Sequence, residues 1–395
     1  MFAAETDLDS SIARHRMGAL VIRTTPGAKV SVEQIRHEFW FGATLPTGVF
    51  TGRTSPEDIA KYKEIFASHF NAGVIEAAFK WHDMERERGQ VNFSIVDSML
   101  AWADKQGIPL RGHCIFWGVP NYVQGWVKQL DDEELRMAIQ QRARTIGARY
   151  RGRFAEYDLN NEMIHANYYE QRLGPEFTRQ MALWVKQGDP DAKLFVNDYD
   201  ILTGNRLDDY VKHIRRLLDM GTPIAGIGVQ GHLHGDTFDP AALRKALEEL
   251  AKFNLPIRVT EFNFPGQRSR YYRGDRKAQL TPEEEQVKAE SLRQYFRICF
   301  AQPAVTGILM WGFWEGANWI PQSSLYKRDW TPTPAAAAYR ELVMNKWWTR
   351  WTGVANSEGW VALRAFYGQH RVTVNGKQTI VNLTRAEGAR QLEVE

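Results

Sequence analysis

KLFVND (193–198), IAGIGVQG (224–231), PIRVTEF (256–262) and VTGILMW (305–311) are four short, largely apolar runs, each separated from the next by enough chain for one helix. Strands that are apolar on both faces suit a parallel sheet covered on both sides, whereas a half-exposed strand would alternate. Working back towards the N-terminus, the same rhythm recurs in EFWFG (38–42), GVIEAAF (73–79), PLRGHCIFW (109–117) and AEYDLNN (155–161). Eight strand–helix units over roughly 300 residues predict a closed (β/α)8 or TIM barrel, spanning about 36–347, rather than an open sheet. Within it, Thr281-Pro282-Glu283-Glu284 has the pattern of a capping box with proline in the first helical position, so a helix is predicted to start there.

The flanks have a different period. Ala19 to Gln34 reads as a hairpin turning at Pro26-Gly27. After Trp348, the stretch WTGVANSEGWVALRAFYGQHRVTVNGKQTIVNL alternates apolar and polar residues, with turn signals at Asn356-Ser357-Glu358-Gly359 and Asn375-Gly376. The overall class is therefore α/β. An N-terminal hairpin segment (1–35) and a small C-terminal β unit (348–395) are expected to pack together beside the barrel.

A formal charge of +3 gives no reason to expect nucleic acid or an acidic membrane surface as partner. No apolar run reaches membrane-spanning length, and the first residues hold no apolar signal core. Aromatics make up 12% of the chain, with 14 Trp. That fits a large core, and equally a surface on which sugar rings stack. Cys114 and Cys299 both lie in apolar segments, where buried free thiols are expected.

Active sites of such barrels lie at the C-terminal ends of the strands. The fourth run ends Asp158-Leu159-Asn160-Asn161-Glu162, and the seventh ends Val259-Thr260-Glu261-Phe262-Asn263. These two strands face each other across the barrel axis. Retaining hydrolysis of a glycosidic bond needs two carboxyl groups about 5–5.5 Å apart, one to protonate the leaving oxygen and one to attack the anomeric carbon. The proton donor must hold its proton near neutrality, so its surroundings must raise its pKa. One strand-end Glu alone is equally explained as the partner of a nearby Arg or Lys. Two, at facing strands, point to chemistry.

Together DLNNEM, VTEF, GVQGHLHG, FVNDYD, RGHCIFW and GILMWGFWEGANW resemble family ten of the glycoside hydrolases, the retaining xylanases, over nearly the whole chain. PGAKVSVEQIRHEFWFGATL and EGWVALRAFYGQHRVTV are similar to the plant-type branch. The resemblance implies Glu162 as acid/base and Glu261 as nucleophile. It gives Asn161 a contact to the sugar 2-hydroxyl, and it makes His232 and Gln230 the pair that orients the nucleophile, with His232 depressing its pKa. Glu76 and Lys80 are implied on the non-reducing side of the cleft. His113 and Trp117 would meet the sugar at the cleavage point, Trp311 and Trp319 would wall that subsite, and Asn197 and Tyr199 would line the leaving-group side. A core histidine, a buried ion pair and core tryptophans are the plainer readings of His232, of Glu76 with Lys80, and of the Trp residues. His234 has no counterpart and reads as surface.

Three departures affect substrate more than reaction. Gly118-Val119-Pro120 stands where the family carries a His and then a Gln, Ala77 replaces a sugar-binding Asn, and Asn263 replaces an Asp. The loop after the seventh run carries Arg268, Arg270, Tyr271, Tyr272, Arg273, Arg276 and Lys277. It reads either as a solvated charged loop or as a site for an acidic decoration such as glucuronate, since guanidinium forks match carboxylates.

The expected activity is endo-acting, retaining cleavage of a xylan-type β-1,4-linked polysaccharide, acid-decorated chains included. The alternatives are another β-linked glycan or glycoconjugate with the same mechanism, and a carbohydrate-binding barrel without catalysis. No cofactor, metal, nucleic acid or membrane partner is expected, and the chain is expected to be a monomer. Export to the periplasm or beyond the cell follows from the polysaccharide substrate, with a leader removed before this numbering.

Overall fold

The computed structural model describes residues 2–232, 238–264, 273–274 and 279–394, with side chains from residue 7 onward. The eight apolar runs form one ring of parallel strands: β3 (Trp40–Leu45), β4 (Ala72–Ile75), β5 (Leu110–Gly112) with β6 (Phe116–Trp117), β7 (Glu156–Asn161), β8 (Leu194–Asp198), β9 (Gly226–Val229), β10 (Ile257–Phe262) and β11 (Val305–Met310). Pairing of β3 with β11 and of β7 with both β5 and β6 closes the ring, so the third barrel position is one strand in two pieces.

Around the ring, helices turn one apolar stripe inward. Asp132–Arg149 buries Leu135, Ile139, Ala143 and Ile146 at three- and four-residue spacing, and Asp131 and Glu134 close a capping box at its start. The predicted box at Thr281 is present too: its side chain accepts from the Glu284 N–H, and the Glu284 side chain accepts from the Thr281 N–H. Cys114 and Cys299 are free and buried. Among the described residues no helix is long and apolar enough to cross a membrane.

Beside the barrel lie two small sheets drawn from both flanks. β1 (Met17–Arg23) sits between β13 (Trp360–Phe366) and β16 (Ala389–Glu393). β2 (Lys29–His37) sits between β12 (Arg350–Val354) and β14 (Gly368–Val374), with β15 (Lys377–Leu383) outside β14. Leu20 and Ile22 from one sheet and Val30, Val32, Val372 and Val374 from the other share a buried core. β1 and β2 do not form the predicted hairpin. Gly27, at φ 75, turns the chain between layers rather than within one. The N–H groups of Thr24 and Gly27 go instead to the carbonyls of Gly359 and Ala355 in the tail.

A helix the sequence did not announce, Phe2–Arg16, precedes β1. It buries Leu8 and Ile12 and ends on Arg16. The Arg16 guanidinium donates to the carbonyls of Phe300, Gln302 and Val305 at 2.6, 2.6 and 2.8 Å. That contact ties the N-terminal flank to the end of helix Pro282–Ala301 and the start of β11.

Candidate active site

The C-terminal ends of β7, β8, β9 and β10 bring Glu162, Asn197, Gln230, His232 and Glu261 together. Glu162 follows β7 at φ 61, a conformation a non-glycine residue holds only against a cost of about 1–3 kcal/mol. Its N–H is anchored on the Asn197 carbonyl at 2.9 Å. Its carboxyl takes two neutral donors, the Trp117 indole N–H at 2.9 Å and the Gln230 amide at 2.7 Å. Burial, chiefly, and then the charges of Glu261 and Asp198 push Glu162 up to about 7, against the pull of those two hydrogen bonds. A carboxylic acid in that range keeps a proton to give at neutral pH.

Glu261, on β10, is buried. One carboxylate oxygen accepts from the Asn197 amide at 3.0 Å, and the other lies 3.1 Å from His232 Nε2. His113 Nδ1 is 4.0 Å away. The depression expected from His232 is not the net direction. Burial raises the Glu261 pKa, and His113, Lys80 and the Asn197 hydrogen bond only oppose it. Glu76 is likewise raised by burial, with Lys80 lowering it and Glu261 raising it.

Two expected placements change. Gln230, expected to pair with His232 in orienting Glu261, gives its side-chain amide to Glu162 and meets Glu261 through its backbone carbonyl, which accepts from that N–H at 2.6 Å. Gly231 makes this possible. At φ 80, with a Cβ there only 2.6 Å from Val259, it turns the Gln230 and His232 side chains to different carboxyls. Asn197, expected on the leaving-group wall, is buried against Glu261. Its amide also donates to Asn161 Oδ1 at 3.0 Å, and its own oxygen accepts from Thr260 at 2.7 Å.

The aromatic residues gather around the same mouth. The Lys80 ammonium lies 4.7 Å from the Trp117 ring and 5.9 Å from that of Trp311. Trp311 meets His113 edge-on at 5.1 Å, and Trp319 meets His232 edge-on at 5.4 Å. Asn263 accepts from the Trp319 indole at 3.3 Å and donates to Ser323 at 2.9 Å, so it holds a wall of the site. Tyr199 stacks on His165 at 3.6 Å, and His165 is hydrogen-bonded to Asp198 at 2.7 Å. The short segment Gly118-Val119-Pro120 lets Tyr122 stack on Trp117 at 3.7 Å.

Below the site runs a chain of buried charges that the sequence reading passed over. His113 Nδ1 is 2.8 Å from Asp158, Asp158 pairs with Arg111, Arg111 with Glu156, and Glu156 with Arg258. Burial alone would raise both acids. Instead Arg111 and His113 hold Asp158 below the usual carboxylate range, as Arg258 and Arg111 do Glu156. The signal was available: Arg111 and His113, Glu156 and Asp158, Arg258 and Thr260 are each two residues apart, hence on one side of their strands.

His234 and the loop residues Arg268, Arg270, Tyr271, Tyr272, Arg276 and Lys277 lie outside the described residues; Arg273 is exposed. Among the described residues no group of three His, Cys, Asp or Glu is placed to hold a metal ion.

The family model for glycosyl hydrolase family 10 matches residues 33–342. The anti-sigma-I factor RsgI6 of Acetivibrio thermocellus is 34% identical over 370 residues, which is 92% of this chain and 45% of that protein. Endo-1,4-beta-xylanase 3 of Arabidopsis thaliana is 32% identical over 335 residues, 84% of this chain and 42% of that protein. The chain thus spans less than half the length of either curated relative. Among solved structures, xylanase 10B from Thermotoga petrophila RKU-1 in complex with xylobiose superposes with a TM-score of 0.69 at 26% identity, covering 78% of this chain and 95% of that one.

Proposed function

The chain belongs to glycosyl hydrolase family 10, and on that footing we propose that it is an endo-acting, retaining hydrolase of a β-1,4-linked xylan-type polysaccharide. The observation that carries this proposal is the unequal company of the two carboxyls. Glu162 has only neutral hydrogen-bond donors and is pushed up to about 7, so it keeps a proton. Glu261 is held on both oxygens, by Asn197 and His232, with Lys80 and His113 favouring its charged form. Glu162 protonates the glycosidic oxygen as Glu261 attacks the anomeric carbon. Glu162 then deprotonates the water that breaks the glycosyl-enzyme bond.

The remaining residues bind or position. Asn161 spends its oxygen on Asn197, which leaves its NH2 group for the sugar 2-hydroxyl. Lys80 and Glu76 serve the non-reducing side, Trp311 and Trp319 wall the cleavage subsite, and Tyr199 lines the leaving-group side. The relatives named as xylanases support the substrate class, and export follows from the size of that substrate. The barrel acts as a monomer.

A second reading, glycan binding without turnover, is prompted by one relative, matching 92% of this chain, that is named as an anti-sigma factor and not as a hydrolase. Product release from plain xylan, glucuronate-decorated xylan and a β-linked glucan, for the native chain and Glu261→Ala, separates these cases. Xylan cleavage that gives the β-anomer first and disappears in the variant is expected. Cleavage of the glucan alone moves the substrate. Binding with no turnover on any glycan leaves the second reading standing.

A further inference from the structure

The segment that follows Glu162 folds back on it. The N–H groups of His165 and Ala166 both donate to the Glu162 carbonyl at 3.1 Å, so the proposed acid/base opens a tight turn. Glu162 sits there at φ 61, a conformation that persists only where the surroundings over-determine it. Bonds inside the turn fix its shape but not its place, which takes a tie to the neighbouring strand.

Asp198, at the end of β8, supplies that tie. One carboxylate oxygen accepts from the Ile164 N–H at 3.0 Å. The other lies 2.7 Å from His165 Nδ1 and accepts from the Tyr199 N–H at 3.0 Å. The residue is 1% exposed, and among the described residues no Lys or Arg pairs with it. A buried carboxylate without a cation depends on each of its donors. Two of the three are backbone groups, and the third is His165.

The same histidine has a second contact. Its ring centre lies 3.6 Å from that of Tyr199, with the two planes 12° apart. One side chain therefore joins the turn that carries the proton donor to the ring on the leaving-group side of the cleft. The hydrogen bonds of the nucleophile come from elsewhere, from Asn197 and His232.

We propose that His165 is a positioning residue for departure of the leaving group. Through Asp198 it holds the Glu162 turn, and through its stack it holds the Tyr199 ring, so that the acid proton and the departing sugar meet in register. This rests on the reading of Glu162 as the acid/base. The electrostatics agree with the geometry. Burial, chiefly, and then the charges of Glu261 and Asp198 keep the proton on Glu162. Burial raises Asp198 in turn, and the His165 hydrogen bond leads the groups that oppose it.

Dependence on the leaving group tests the role. kcat/KM, which reports the first bond-breaking step, is measured on a xylo-oligosaccharide and on a dinitrophenyl β-xylobioside. The sugar needs the acid proton to leave; the phenolate does not. His165→Phe keeps a ring to stack and removes the donor, and its loss is expected to be about tenfold greater on the oligosaccharide. His165→Asn places an amide N–H where Nδ1 stood and removes the stack. Its loss should fall on KM for the oligosaccharide rather than on kcat, by about threefold. Equal losses on both substrates in His165→Phe overturn the proposal, because damage to the fold or to the nucleophile does not distinguish leaving groups. If His165→Phe does not fold, an unmoved KM in His165→Asn overturns it as well. Turnover of the oligosaccharide by the native chain tests the hydrolase on its own.

Discussion

The Asn197 side-chain amide donates to the Glu261 carboxylate at 3.0 Å. The carbonyl of the same residue receives the Glu162 N–H at 2.9 Å, so one asparagine sets the height of both carboxyls above the ring. Asn197→Ala keeps the strand but removes the amide. The donor favours the charged form of Glu261, so its loss raises that pKa and moves the acid limb of the kcat/KM profile to higher pH. A fall in kcat of about 10²-fold accompanies the shift, since a fixed donor at the reacting carboxylate is lost. A pH–rate profile on a xylo-oligosaccharide checks both, and an unmoved acid limb would remove Asn197 from this role.

Trp117→Phe tests the other carboxyl. The indole N–H also favours the charged form, here of Glu162, which stands at about 7. Without it the proton is held to higher pH, and the alkaline limb moves upward while the Tyr122 stack survives on the phenyl ring. An alkaline limb that stays in place, or moves down, contradicts the assignment of Glu162 as the proton donor.

Glu162→Gln should abolish cleavage of unactivated xylan and at the same time stabilise the fold. A carboxyl whose folded pKa is raised costs stability as pH climbs from its unfolded value to its folded one, and the cost is full above about 7. The amide carries no such cost. A melting temperature higher by a few degrees at pH 8, and little changed at pH 4, is the expected result by calorimetry.

Asp158→Asn works in the opposite sense. Asp158 is held below the ordinary range by Arg111 and His113, so its contribution is present above the unfolded carboxylate pKa and lost as pH falls through the folded one. Removing the charge leaves Arg111 buried with one acidic partner instead of two, a loss of about 3–5 kcal/mol at neutral pH. Urea unfolding at pH 7 and at pH 3 should show the gap between variant and native narrowing in acid. A gap that is the same at both values would mean that the carboxylate charge is not what Arg111 and His113 use.

The barrel was legible because its strands are written locally. Each is a short apolar run, and Glu162 and Glu261 close two of them at facing strands, where a pair of acids points to chemistry rather than to two separate ion pairs. Pairing of the flanks was not written locally. Pro26-Gly27 announces a turn but carries no information on which strand lies beside Met17–Arg23, and the partners are 360–366 and 389–393. The roles of Gln230 and Asn197 escaped for a similar reason. Residue type and strand end place a side chain at the mouth, but the positive φ of Gly231 decides which carboxyl Gln230 meets. Arg111, Glu156 and Arg258 escaped despite their two-residue spacing from His113, Asp158 and Thr260, because a charged residue in a strand looks like an exposed position until its partners on other strands are known.

The order of manufacture adds a demand that the finished fold conceals. Met17 must wait for its neighbour until Phe366 has been added. At about 5–20 residues per second that interval is roughly 20–70 s. Throughout it β1 and β2 present open edges, the kind of surface that recruits another strand from any nascent chain nearby. The helix Phe2–Arg16 cannot relieve this either, since the Arg16 anchors at Phe300, Gln302 and Val305 are themselves late products. Segment 17–37 must therefore stay unpaired without its native partners for as long as the barrel takes to be made.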